Sequence, residues 1–115
     1  RGGEVWKLNI VGQVVGLETL PTGILAASEF GDLYTLGFDG TLHTHQHVSE
    51  WIHAAVRCGD EIVLATQGGR LLKFDATGVE TGFLRIRGEV RGLHCVGDVV
   101  ICALENNRIC AYRFN

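Results

Sequence analysis

Three histidines alternate with polar residues in His43-Thr44-His45-Gln46-His47. On an extended strand their imidazoles share one face at a spacing of about 7 Å. Neighbouring rings on that face could jointly ligate zinc, nickel or copper, so His43, His45 and His47 are the candidate metal ligands. No carboxylate nearby in sequence supplies an orienting partner. A second group of chemically able residues falls in short polar turns: Glu29 and Asp32, Arg70, and Glu105 and Arg108. Trp51 and His53 stand together at the head of an apolar run. An exposed aromatic there would serve as a binding anchor, and a packed one would plug the space between neighbouring structural units. Glu29 and Glu105 could face each other as an acid pair, but both also follow from internal repetition. No nucleophile elbow, phosphate-cradling glycine loop or paired-histidine helix occurs. No catalytic residue is therefore assigned, and no cofactor is expected.

The four cysteines, Cys58, Cys95, Cys102 and Cys110, lack metal-knuckle spacing. Cys102 and Cys110 fall at packing positions and read as small buried hydrophobes. Cys58 lies in the Arg57-Cys58-Gly59-Asp60 turn, with nothing to activate it. Free buried thiols suit a reducing compartment, which makes the cytoplasm the expected location.

What positions these residues is a repeat of 38 residues. Gly23–Gly40, Glu61–Gly78 and Val99–Asn115 align without gaps. Ala27, Ala65 and Ala103 share one column, Leu33, Leu71 and Ile109 another, and Gly31, Gly69 and Asn107 a third. Short apolar runs repeating about every 40 residues mark the blades of a propeller. Inner strands are predicted to begin at Val14, Ile52 and Val90. The hairpins at Gly31, Gly69 and Asn107 need a positive backbone φ, which Gly and Asn supply. The segment Gly3–Gln13 aligns with an outer strand, Leu8 matching Leu84 and Ile10 matching Ile86. The same alignment puts Trp6 on the inward side of that strand, as core, and turns the three histidines outward at the rim. His53 and His94 fall on inner strands, as hydrogen-bonded interior or pore residues.

The expected fold is all-β: a β-propeller domain over residues 1–115, with three four-stranded blades, one of them split between the two ends. Residues 1–13 form an outer strand that completes a blade, 14–51 blade one, 52–89 blade two, and 90–115 the first three strands of blade three. Three blades make too tight a ring, since propellers have about 4–8. The chain is thus expected to be half of a six-bladed ring formed with a second copy of itself, or a piece of a longer propeller. The absence of methionine suits the second alternative.

A net charge of −3 and a pI near 5.9 argue against nucleic acid as a partner, because phosphate binding needs a basic footprint. No apolar run approaches the roughly 18 residues that cross a bilayer, so no membrane partner is expected.

Leu33-Tyr34, the turn Asp75-Ala76-Thr77-Gly78 and Gly3-Glu4-Val5-Trp6 resemble the repeats of quinoprotein-like propellers, and WD-repeat propellers share much of the rhythm. The Gly-His and Trp-Asp dipeptides of the WD repeat are missing, as is the vicinal cysteine pair of the quinone-dependent dehydrogenases. The resemblance implies a fold and carries over no cofactor or catalytic residue. The function expected is a non-enzymatic scaffold or recognition module that presents loops for protein or ligand binding. The alternative is an enzyme or small-molecule binder at the pore mouth, drawing on Glu29, Trp51, His53, Arg70, Glu105 and Arg108.

Overall fold

The computed structural model describes residues 2–114, which contain eleven strands and no helix. The strands β1 (Val14–Leu20), β2 (Gly23–Ser28), β3 (Asp32–Leu36) and β4 (Leu42–His47) form one antiparallel sheet in sequential order. β5 (Ile52–Cys58), β6 (Glu61–Thr66), β7 (Arg70–Phe74) and β8 (Glu80–Arg85) form a second. β9 (Val90–Val96), β10 (Val99–Leu104) and β11 (Ile109–Arg113) form a third, of three strands. The innermost strands β1, β5 and β9 contact one another in series, so the sheets stand side by side as blades. They begin at Val14, Ile52 and Val90, where the repeat places them.

Local chemistry explains the turns. Gly31, Gly69 and Asn107 have φ of 100°, 77° and 64° in equivalent hairpins, and Asn107 is the one non-glycine at positive φ among the described residues. Asn tolerates that region because its short amide side chain can bond locally. Asp75 closes the turn after β7 by accepting hydrogen bonds from the Thr77 amide, the Thr77 hydroxyl and the Val79 amide. Asp39 does the same for the Thr41 amide in blade one.

The core lies between blades. One cluster joins blades one and two around Leu25, Leu33, Ile52, Leu64 and Phe74. The other joins blades two and three around Val56, Leu71, Val90, Val100 and Cys102. Central strand β6 is apolar on both faces because blade one covers Ile62 and Leu64 and blade three covers Val63 and Ala65. Gly16 is a point of close approach: a Cβ there would lie 2.5 Å from the Cβ of Ala55 on the next inner strand.

Two expectations are corrected. Cys58 and Cys95 are joined in a disulfide, with Cα atoms 5.6 Å apart, at the ends of the inner strands of blades two and three. In the repeat Cys95 occupies the column of Arg57, which ties blades one and two at the equivalent place. The Arg57 guanidinium donates to the Thr19 carbonyl at 2.7 Å and to the Gly59 carbonyl at 2.7 Å. Only Cys102 and Cys110 are free. Cys102 is fully buried, and burial first, then Cys110, pushes its thiol up to about 11, so it behaves as a small hydrophobe. The two thiols from which a reducing compartment is inferred are thus free, while the other two cysteines are bridged. Trp6 is the second correction. It is only partly buried, and its indole N–H donates to the Phe38 carbonyl at 3.0 Å while the ring lies against Gly40. Residues 2–13 adopt no strand, so this side chain rests on the flank of blade one instead of inside a sheet.

No helix among the described residues is long and apolar enough to cross a membrane.

Candidate functional site

The three corners at which the chain enters a blade, around Gln13, Trp51 and Glu89, converge on one end of the molecule. Each corner delivers its outer residue by the same backbone bond: Glu29 N–H to Gln13 O at 2.8 Å, Gln67 N–H to Trp51 O at 2.9 Å, Glu105 N–H to Glu89 O at 3.0 Å. Immediately after, each inner strand carries a β-bulge between Val14 and Gly16, Ile52 and Ala54, and Val90 and Gly92. A bulge re-aims the extra residue. Here it is Val15, His53 and Arg91, and all three line a common pocket of about 330 Å³ with Gln13, Trp51 and Glu89. Glu29 completes its wall.

Within it, Trp51 is 53% exposed and is braced edge-on by Phe30, with ring centroids 5.2 Å apart. It is thus an anchored aromatic facing solvent, as a recognition side chain requires. The Nδ1 of His53 is buried without a hydrogen-bond partner, and the Glu89 carboxylate stands 3.8 Å from it. A ligand group or a small movement of Glu89 would satisfy that nitrogen.

The sequence candidates divide. Glu29, Trp51 and His53 meet in this pocket. Arg70 does not: it forms a forked ion pair with Glu50, donating through Nε at 3.0 Å and again through Nη2, and it lies over the Phe83 ring. That pair, together with the Thr66 hydroxyl, holds the Glu50 carboxyl below its ordinary value. Glu105 and Arg108 are exposed, and Arg108 donates to the Asn106 side chain in its own hairpin. Arg91 and Glu89 escaped selection from sequence, although they share repeat columns with His53 and Trp51. That shared column was the available signal.

The histidine strand is β4, and His43, His45 and His47 are exposed. The structure supplies the carboxylate that local sequence lacked. Asp32, on the neighbouring strand β3, lies 2.9 Å from His45 Nε2 and 3.1 Å from His47 Nδ1. These contacts, with the His45 hydrogen bond largest, hold the Asp32 carboxyl below its ordinary value. His45 also stacks on Tyr34 with centroids 4.6 Å apart. Asp32 is thereby engaged by the two histidines and does not line the pocket. Among the described residues no group of three or more His, Cys, Asp or Glu side chains is arranged to hold a metal ion. A second cavity of about 330 Å³ opens between blades one and two at the opposite end, walled by Leu20, Leu25, Leu33, Ile62 and Phe74, and contains none of the sequence candidates.

No protein-family model matches the chain, and no curated protein is similar to it in sequence. Solved structures are similar in fold. One is BamB from Moraxella catarrhalis, at a TM-score of 0.75 and 16% identity, with 85% of this chain and 30% of that chain covered. Another is BBS1N crystallised in complex with ARL6DN, at 0.78 and 11% identity over 94% of this chain and 39% of that one. A third is the computationally designed Ika8 protein, at 0.73 and 13% identity over 88% and 33%. The chain thus spans about a third of the length of these solved structures. At such identities the likeness is one of fold, and the fold is that of three consecutive blades of a β-propeller.

Proposed function

We propose that this chain is a non-enzymatic recognition module of the quinoprotein-like or WD-repeat-like kind, a scaffold that binds a protein or ligand at its pore end and assembles from half-rings by strand exchange. The observation that carries this reading is the convergence of three blade corners on one pocket with Trp51 held upright at its edge. Loops and corners on a rigid scaffold are the usual carriers of binding. One of the similar solved structures, BBS1N, was crystallised in complex with another protein, ARL6DN, which suits a propeller used for protein contact. The Cys58–Cys95 bridge favours an oxidising compartment over the cytoplasm.

The test is quantitative binding with wild type and Trp51→Ala at matched folding. Truncating a central aromatic anchor costs about 2 kcal/mol or more, roughly a thirtyfold loss of affinity. A partner bound equally well by Trp51→Ala would move recognition away from the pore end.

A second reading, an enzyme or small-molecule binder at the same mouth, draws support from the unpartnered His53 Nδ1. Its residues are Glu29, Trp51, His53, Glu89 and Arg91, without Arg70, which is committed to Glu50. A small molecule that protects the protein thermally in wild type but not in His53→Ala would favour it.

A further inference from the structure

We propose that the open edge of β11 receives residues 4–10 of a second copy of this chain, and that two copies exchange this segment about a two-fold axis to close a six-bladed ring. This rests on the recognition-module reading above and adds to it the partner and the strand register.

The first support is that the interface already exists twice within the chain. Leu33 of blade one and Leu71 of blade two face the following blade and are buried. Ile109, in the same column of blade three, is 78% exposed, whereas Leu71 is 0% exposed. The opposite flank shows the converse. Ile52 and Val90 face the preceding blade and are buried, at 1% and 2% exposure, while Val14 in their column is 47% exposed and Leu17 beside it 67%. The two bare flanks therefore carry the two halves of one inter-blade contact. Such heterologous, head-to-tail surfaces either close into a ring or polymerise.

The second support is where residues 4–10 lie. Gln46 of β4 reaches the turn of blade two, donating to the Gly78 carbonyl at 2.9 Å. Trp6 reaches the equivalent turn of blade one through the Phe38 carbonyl and Gly40. Gly82 of β8 packs beside Phe114 of blade three. Trp6 and Ile10 are the more sheltered positions of this segment, as Gly82, Leu84 and Ile86 are in and beside β8. The segment thus stands to blade one as β4 stands to blade two and β8 to blade three. It occupies the place of an outer strand whose own blade is not in the chain, and it makes no strand pairing among the described residues.

The third support is the acceptor. Gly31 O accepts from Val48 N–H at 2.8 Å, and Gly69 O from Ile86 N–H at 2.9 Å. Asn107, at φ 64°, presents the same hairpin in blade three, and the Ile10 N–H of a second copy is the matching donor. An unfilled edge of this kind is a template for another strand. The pairs Leu33↔Gln46 and Leu71↔Leu84, Tyr34↔His45 and Leu72↔Phe83 then set the register. Ile109 faces Leu8 of the second copy, and Cys110 faces its Lys7.

That register is tested by Lys7→Cys. Directly opposed antiparallel residues have Cα atoms about 4.5–5.5 Å apart, within the span of a disulfide. With oxidised glutathione as oxidant, Lys7→Cys is expected to give a covalent dimer of twice 12.5 kDa, and Lys7→Cys/Cys110→Ser none. Light scattering of the unmodified protein should give the same doubled mass. A monomeric protein overturns the second copy as occupant and assigns the edge to further blades of a longer chain. A dimer in which Lys7→Cys fails to crosslink, or crosslinks equally after Cys110→Ser, overturns the register. Neither failure touches the Trp51 binding test, so the loss of this proposal and of recognition at the pore end are separable.

Discussion

Replacing Cys58 and Cys95 together by serine removes the disulfide cross-link between blades two and three. The bridge closes a loop of 37 residues. In the chain-entropy treatment, a loop of that length restricts the unfolded ensemble by about 3.8 kcal/mol at 25 °C. For a chain of 115 residues, an unfolding entropy of roughly 2.1 cal/mol/K per residue converts this to a fall in Tm of roughly 16 °C. The serines themselves add little, because both cysteines lie at strand ends and neither is fully buried. Calorimetry or circular dichroism at equal protein concentration measures the shift, the concentration being fixed because association also raises Tm. Adding a reductant to the wild type should reproduce most of the loss. Thiol titration in denaturant without reductant should find the two free thiols Cys102 and Cys110. Four reactive thiols, or a Tm unchanged by the double substitution, would refute the reasoning.

Two further outcomes concern stability. Glu50→Gln should destabilise the fold at neutral pH and make it less sensitive to acid: the Glu50 carboxyl is held below its ordinary 4.5 by Arg70, then Thr66. A depressed folded value stabilises above pH 4.5 and loses that contribution as pH falls through the lowered value. The urea midpoint gap between wild type and Glu50→Gln should accordingly shrink below pH 4.5, and a gap constant down to pH 3 would contradict the ion pair as its source. Leu64→Ala, at a fully buried position between blades one and two, should cost about 2–5 kcal/mol in chemical denaturation. A cost under about 1 kcal/mol would mean the two blades are not packed as described.

The repeat made much of this fold legible. The columns Val14, Ile52, Val90 and Gly31, Gly69, Asn107 locate the inner strands and the hairpins because strand alternation and positive-φ demands are local. The rim position of the histidines followed from the same alternation. The pocket was legible only in part. Trp51, His53 and Glu29 were readable as corner residues, but Glu89 and Arg91 join them through a bulge that recurs in all three blades. Periodicity alone gives a side chain one face or the other; a bulge shifts that phase by one residue, and the sequence carries no mark of it beyond Gly16, Ala54 and Gly92. Arg70 looked available because its partner Glu50 is 20 residues away, on the far side of the two inner strands of its own blade.

The sequence by itself determined the all-β blades and their order, since each is a consequence of short-range pattern repeated three times. Tertiary structure decided the rest, for one physical reason. Blade-to-blade packing brings together residues a full repeat apart, and their pairing depends on how sheets lean on each other. That packing joined Cys58 to Cys95, while strand pairing within a blade set Asp32 between His45 and His47. It also laid Trp6 on the turn of blade one and left Val14 and Ile109 uncovered on opposite flanks.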